Sequence, residues 1–115
     1  MQEGKLIKLL KALTKEEFRN LENYINSPFF LRKNKDALLL YKAIKRQYPH
    51  FQSSVLLKRR VFKKVYPDQD YADGKMRNLL TKVVKITESY LLYLDQEENK
   101  FERNKQLMII YGKRN

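Results

Sequence analysis

Apolar side chains recur at helical spacing over residues 71–94, and this stretch organises the rest of the chain. Wound at about 100° per residue, it places ten core-type positions on one arc of about 160°. These positions are Met76, Leu79, Leu80, Val83, Val84, Ile86, Thr87, Tyr90, Leu91 and Leu94, and the outer arc carries Lys75, Asn78, Lys82, Lys85 and Ser89. An arc this wide exceeds the seam between two helices, so the pattern predicts a long helix that contacts several others.

Two short helices are predicted before it. Lysines at positions 5, 8 and 11 alternate with Leu6, Leu9, Leu10 and Leu13, which indicates an amphipathic helix packed on its own domain. A membrane-surface helix is the disfavoured alternative.

A second helix begins at Thr14, because Thr14 and Glu17 form a capping box and Leu13 can pack on Phe18. Its inward residues are Phe18, Leu21 and Ile25, and it ends at residues 26–28, Asn-Ser-Pro, because the residue before a proline is disfavoured in a helix.

The middle of the chain predicts two more helices. Phe29, Phe30 and Leu31 are expected to plug the gap between helices, with a groove-lining role as the alternative. Asn34 is the expected cap of a third helix with Asp36 in its first turn. Its inward residues are Leu38, Tyr41, Ile44 and Tyr48, and Pro49 ends it.

Ser53 or Ser54 is expected to cap a fourth helix that ends at Pro67. Leu57, Val61, Phe62 and Val65 face inward on it. The turn at residues 68–70 then leads into the long helix, with Asp70 or Asp73 at its positive end. The sequence therefore predicts a helix-turn-helix-like pair at residues 54–94.

Beyond Leu94 the apolar pattern weakens, so the helix either continues or restarts as a separate terminal helix at 99–115. Phe101 and Met108 are in phase with the core arc, and residues 107–111 are all apolar. One neighbouring face cannot cover a run that spreads around the whole helix. We expect an association surface at Phe101, Leu107, Met108, Ile109, Ile110 and Tyr111, covered by a second copy or by the next helix of a longer protein.

Length and composition predict an all-α protein with a single compact bundle of five or six helices in one domain, residues 1–115. The 115 residues are 43% hydrophobic and 12% aromatic with only 3 Gly and 3 Pro, which suits a folded helical chain. With no cysteine and no apolar run of the roughly 18 residues that span a bilayer, we expect a cytoplasmic protein.

The positive charge is concentrated in one third of the chain. Residues 32–64 hold eleven Lys or Arg and one acid, whereas the remaining 82 residues hold 14 bases and 12 acids. Such a local excess attracts anionic partners. The candidate phosphate contacts are Lys58, Arg59, Arg60, Lys63, Lys64, Lys75, Lys82 and Lys85. Nucleic-acid binding is thus the alternative to a non-catalytic helical interaction or scaffold module.

Residues for catalysis or metal binding are sparse. His50 is the only histidine, and we expect it to be a surface or capping residue in a turn. Asp68, Asp70 and Asp73 cluster, but the calcium-loop series of ligands does not follow them. Gly4, Gly74 and Gly112 are isolated and form no phosphate loop. We therefore predict no enzyme activity, no cofactor and no metal.

Five stretches resemble the N-terminal region of large uncharacterised helical proteins from Bacteroidetes-type bacteria. They are residues 13–18 (LTKEEF), 27–30 (SPFF), 48–51 (YPHF), 61–67 (VFKKVYP) and 75–80 (KMRNLL). The resemblance implies an N-terminal helical module of a longer protein and no specific activity. Residues 58–92 also resemble the helix, turn and recognition helix of winged-helix regulators, through residues 66–68 and 76–80, without the flanking strands and wing.

Overall fold

The computed structural model describes residues 2–27, 34–51 and 58–114. Within these ranges the regular structure is entirely helical and includes no strand, so the predicted all-α class is confirmed. The helices are α1 (Gln2–Lys11), α2 (Lys15–Ile25), α3 (Lys35–Ile44), α4 (Lys58–Val65) and α5 (Asp73–Arg114), and a 3₁₀ turn (Lys45–Gln47) extends α3. The predictions for Phe29, Phe30, Leu31, Ser53, Ser54 and Leu57 fall outside the described residues.

The first half of α5 is the centre of the core, as predicted. Eight of its ten predicted core positions are buried, from Met76 to Tyr90, and the last two, Leu91 and Leu94, are half-buried against the same cluster. Most of this face is covered by α1, and α2 and α3 cover the rest. The wide apolar arc is therefore explained by three neighbours around one helix.

The junction of α1 and α2 is fixed by the predicted capping box and by tyrosine hydroxyl groups. The amide of Glu17 donates to Thr14 Oγ1 at 3.1 Å, and the amide of Thr14 donates to Glu17 Oε1 at 2.8 Å. Three tyrosines donate to backbone carbonyls nearby: Tyr41 to Phe18 at 2.6 Å, Tyr48 to Leu13 at 2.7 Å, and Tyr90 to Glu17 at 2.8 Å. Because the donors come from α3, the segment that follows it and α5, these bonds join the junction to the rest of the core.

The helices α3 and α4 pack chiefly on each other. Asn34 occupies the predicted N-cap position of α3, but its side chain makes no capping hydrogen bond. Asp36 replaces it, since Asp36 Oδ1 accepts from the amide of Ala37 at 2.9 Å. The predicted inward residues Val61, Phe62 and Val65 of α4 are all buried.

The molecule is elongated. Its radius of gyration is 17.9 Å and its extents are 68 × 30 × 21 Å, whereas a compact chain of this length has a radius of gyration of about 13 Å. The difference arises in α5, whose 42 residues continue without a break through Arg114. The core lies at one end of this helix, and from Asp95 onward every described side chain of α5 is exposed. These dimensions therefore do not confirm the predicted compact single bundle.

Candidate interaction surfaces

The helix α4 has a fully basic outer face. Arg59, Arg60, Lys63 and Lys64 are exposed, and Lys58 is half-buried. Since Val61, Phe62 and Val65 occupy the side turned to the core, the four exposed cations share an arc of about 140° on the opposite side. This face is the densest group of candidate phosphate contacts that the structure brings together.

The connection between α4 and α5, residues 66–72, draws three of the cations together. Lys63 Nζ donates to the backbone carbonyl of Gln69 at 3.3 Å, and Lys75 Nζ donates to Gln69 Oε1 at 2.6 Å. Lys75 Nζ also lies 4.2 Å from the ring centre of Tyr66, and the guanidinium of Arg59 lies 4.8 Å from that of Tyr71. Cations over aromatic faces are held in position without losing their charge.

The same connection and the first residue of α5, Asp73, also carry acids that reduce the positive field. Asp68 and Asp70 are exposed there, and Asp73 Oδ2 accepts from Arg77 at 2.7 Å. The hydrogen bond from Arg77, followed by one from Tyr71, lowers the pKa of Asp73.

The connection is also longer than the roughly three or four residues that join the helices of DNA-binding helix-turn-helix motifs.

Lys82 has a different environment from the other candidate phosphate contacts. Its Nζ lies 3.1 Å from both carboxylate oxygens of Asp36, and Tyr66 Oη donates to Asp36 Oδ2 at 2.8 Å. Burial alone would raise the pKa of Asp36, but the hydrogen bonds from Tyr66 and Lys82 outweigh it and lower the pKa. Lys82 is therefore half-buried in an ion pair inside the domain, while Lys85 is exposed one turn further along α5.

The second half of α5 has an apolar surface that no described part of the chain covers. Nine large hydrophobic side chains are exposed in the described residues, and eight of them lie on α5 from position 92 onward. They include the six predicted positions: Phe101, Leu107, Met108, Ile109, Ile110 and Tyr111, which are between 44% and 74% exposed. The structure thus places the predicted association surface on a continuous, projecting helix.

A cavity of about 20 Å³ lies between α1, α3, α4 and α5, and apolar residues such as Leu40, Val61 and Met76 line it. A cavity of this volume has room for about one water molecule, and an apolar lining offers that water no hydrogen-bond partner. The described residues contain no group of three potential metal ligands, and His50 is exposed as predicted.

Sequence reasoning missed one surface feature, a groove between α2 and α3. Phe18, Tyr41 and Tyr48 form its floor, and Lys15, Arg19, Glu22 and Lys45 form its rim. The Lys45–Glu22 ion pair, at 3.4 Å, crosses this groove. Its α2 residues lie 19 or more positions before those of α3 and the segment that follows it, so only the capping box and the aromatic content hinted at it.

None of the helices that the structure describes has a segment apolar enough to cross a lipid bilayer. Comparisons with protein-family models, with curated proteins and with solved structures returned no match.

Proposed function

We propose that this protein is a non-catalytic helical interaction module, in which the bundled helices up to residue 94 support a projecting half of α5 that binds another protein chain. One observation carries the proposal: six of the nine large exposed hydrophobic side chains of the described residues lie on that half, and two more lie directly before it. Single exposed hydrophobic residues are normal on a protein surface, whereas a concentrated set of them is typical of interaction sites.

The energetics favour a covered state. Burying a large apolar side chain is favourable by about 1.5–3 kcal/mol. Residues 107–111 supply five such side chains on consecutive positions. The part of α5 beyond Leu94 is about 30 Å long and exposes these side chains to water. A partner that covers them therefore stabilises it.

Site-specific photocross-linking tests the proposal in cells that express the protein. A photoreactive amino acid in place of Met108, which is 74% exposed, should form a discrete adduct with one protein chain. The matched control replaces Lys85, an exposed position on the same helix that lies within the bundled part, and it should form no such adduct. Equal labelling at both positions, or none at Met108, would contradict the proposal.

Nucleic-acid binding is a second candidate function, favoured by the outer face of α4. Four exposed cations within about 140° of arc can follow a phosphate backbone. Arg60 and Lys64 are the most informative of them, since Arg59 and Lys63 also contact the connection to α5. Lys82 is the least informative because Asp36 already neutralises it.

Retention on immobilised DNA and RNA over a salt gradient tests this second function. The wild-type protein should elute at a salt concentration that falls when Arg60→Glu and Lys64→Glu are combined. The control combines Lys8→Glu and Lys11→Glu, two exposed lysines of α1, so that net charge changes equally at another place. Equal loss of retention in both double variants would indicate a nonspecific charge effect, and no retention of the wild type at low salt would exclude the function.

A further inference from the structure

The helix α3 carries a row of cations on its outer side, next to the basic outer face of α4. Lys35, Lys42 and Arg46 are exposed, and their spacing of seven and four residues places them on one side of α3 and its 3₁₀ extension, over about 16 Å. We term these three residues the α3 row. Among the described residues no ion pair engages them, whereas the neighbouring Lys45 is paired with Glu22.

The outer surfaces of α3 and α4 together consist almost entirely of cations. Residues 35–47 and 58–65 contain nine exposed side chains, of which eight are Lys or Arg and the ninth is Leu39. The single acid in these two ranges, Asp36, is half-buried and paired with Lys82. Since α3 and α4 pack chiefly on each other, their outer sides are neighbours. A polyanion that lies across both helices would therefore meet no exposed carboxylate on them.

This composition suits a duplex phosphate backbone better than a protein, a membrane or a single strand. Leu39 is the only large hydrophobic side chain exposed in residues 35–47 and 58–65, whereas protein interfaces have an apolar centre and membrane-bound helices bury an apolar face. No aromatic side chain is exposed in these ranges either, and single strands are bound largely by stacking of their bases on aromatic side chains.

We propose that α3 and α4 form one surface that binds double-stranded nucleic acid through its phosphates, with the α3 row as a line of contacts beside the face of α4. This inference rests on the second candidate function and extends its site to a second helix. A row of about 16 Å spans a length of duplex that carries about nine phosphates, so each of its three cations has phosphates within reach.

The salt dependence of binding counts the contacts, since each neutralised phosphate of a duplex contributes about −0.9 to the slope of log K against log salt concentration. The four exposed cations of α4 alone would give a slope of roughly −4, and the addition of the α3 row should bring it to roughly −6. Fluorescence anisotropy with a labelled duplex of mixed sequence, about 20 base pairs or two helical turns long, measures this slope.

The combined variant Lys42→Gln and Arg46→Gln should reduce the magnitude of the slope by about 2 without changing the melting temperature, because Gln is a good helix former at an exposed position. The matched control combines Lys8→Gln and Lys11→Gln on α1 and should leave the slope unchanged. If the wild type binds and the α3 variant keeps its slope, the inference is wrong and the function of α4 stands. If the wild type does not bind at low salt, both fail.

Substitutions of Leu39 separate phosphate binding from apolar contact. Leu39→Gln should leave duplex affinity unchanged, whereas Leu39→Glu, which places a carboxylate within the α3 row, should weaken it severalfold. Equal losses in both variants would indicate an apolar contact and overturn the inference. Tighter binding of one strand alone than of the duplex would also overturn it, as would binding to phosphatidylserine vesicles in the absence of duplex binding.

Discussion

Asp36 connects three helices through one carboxylate. Its oxygens accept hydrogen bonds from the amide of Ala37 in α3, from Tyr66 directly after α4, and from Lys82 in α5. The carboxylate is partly buried, and its pKa is lowered because these donors outweigh the effect of burial. The pKa of Tyr66 is raised by burial and by its hydrogen bond to Asp36, so its hydroxyl remains a donor across the neutral pH range.

Asp36→Asn should make the protein less stable at neutral pH and remove part of its acid sensitivity. A carboxyl whose pKa is lower in the folded state stabilises the fold above its unfolded pKa, about 3.9, and loses that contribution as pH falls through the folded value. The variant should lose about 1 kcal/mol of unfolding free energy at pH 7, discounted for partial exposure, and the difference from wild type should vanish in acid.

Urea denaturation between about pH 2 and pH 7 measures this difference. Asp68→Asn, an exposed carboxylate in the α4–α5 connection, is the control and should stay within about 0.5 kcal/mol of wild type at each pH. Parallel pH profiles for wild type and Asp36→Asn would contradict the assignment.

The helix α5 has two halves with opposite environments. Up to Leu94 its apolar side is covered by α1, α2 and α3, while beyond Leu94 its described side chains are exposed. Neither Gly nor Pro occurs between residues 75 and 111, and Glu, Lys, Gln and Leu are good helix formers. Helix propensity therefore continues the helix past the point where the core ends.

Val83→Asp should unfold the protein, whereas Lys85→Asp should not. Val83 is 2% exposed, and an unpaired carboxylate there would cost more than about 3 kcal/mol. Lys85 is exposed on the same helix two residues later, so the same new side chain should shift stability by less than about 1 kcal/mol. Circular dichroism melts compare the two, and a cooperative melt near the wild-type temperature for Val83→Asp would refute the role of this face.

At the scale of the whole molecule, stability and length reside in different parts of the chain. The buried core ends at Tyr90, with Leu91 and Leu94 packed against its edge. The remaining 20 helical residues add about 30 Å of length and no buried side chain among those described. This division predicts that the core folds without them.

A chain that ends after Leu94 should retain cooperative unfolding, with a melting temperature within a few degrees of the full chain at low protein concentration. Its radius of gyration, measured by small-angle X-ray scattering, should fall from 17.9 Å to about 12–13 Å. A chain that ends after Lys82 is the control, since it loses Val83, Val84, Ile86 and Tyr90 from the core. An unfolded 94-residue chain would show that the projecting part is required for the fold.

The sequence allowed prediction of features that depend on nearby residues. Helical periodicity identified the buried side of α5, and the spacing of Thr14 and Glu17 identified the capping box. Contacts between distant residues were not predictable. Lys82 was assigned to the phosphate-contacting set because it lies on the outer arc of α5. A helical wheel cannot show that Asp36, 46 residues earlier, lies beside it. For the same reason the hydrogen bond from Tyr90 to the carbonyl of Glu17 was missed.

Because α5 continues without a break, its residue count fixes the angle about the helix axis between side chains at its two ends. Since each residue turns the helix by about 100° and advances it by about 1.5 Å, one residue inserted near Gln96 would rotate Phe101 and Met108 by about 100° relative to Leu94 and leave the core intact. Seven inserted residues would restore the direction to within about 20° and move the far end about 10 Å outward. The number of residues in α5 therefore sets the direction of the side chains at its far end relative to the basic side of α4.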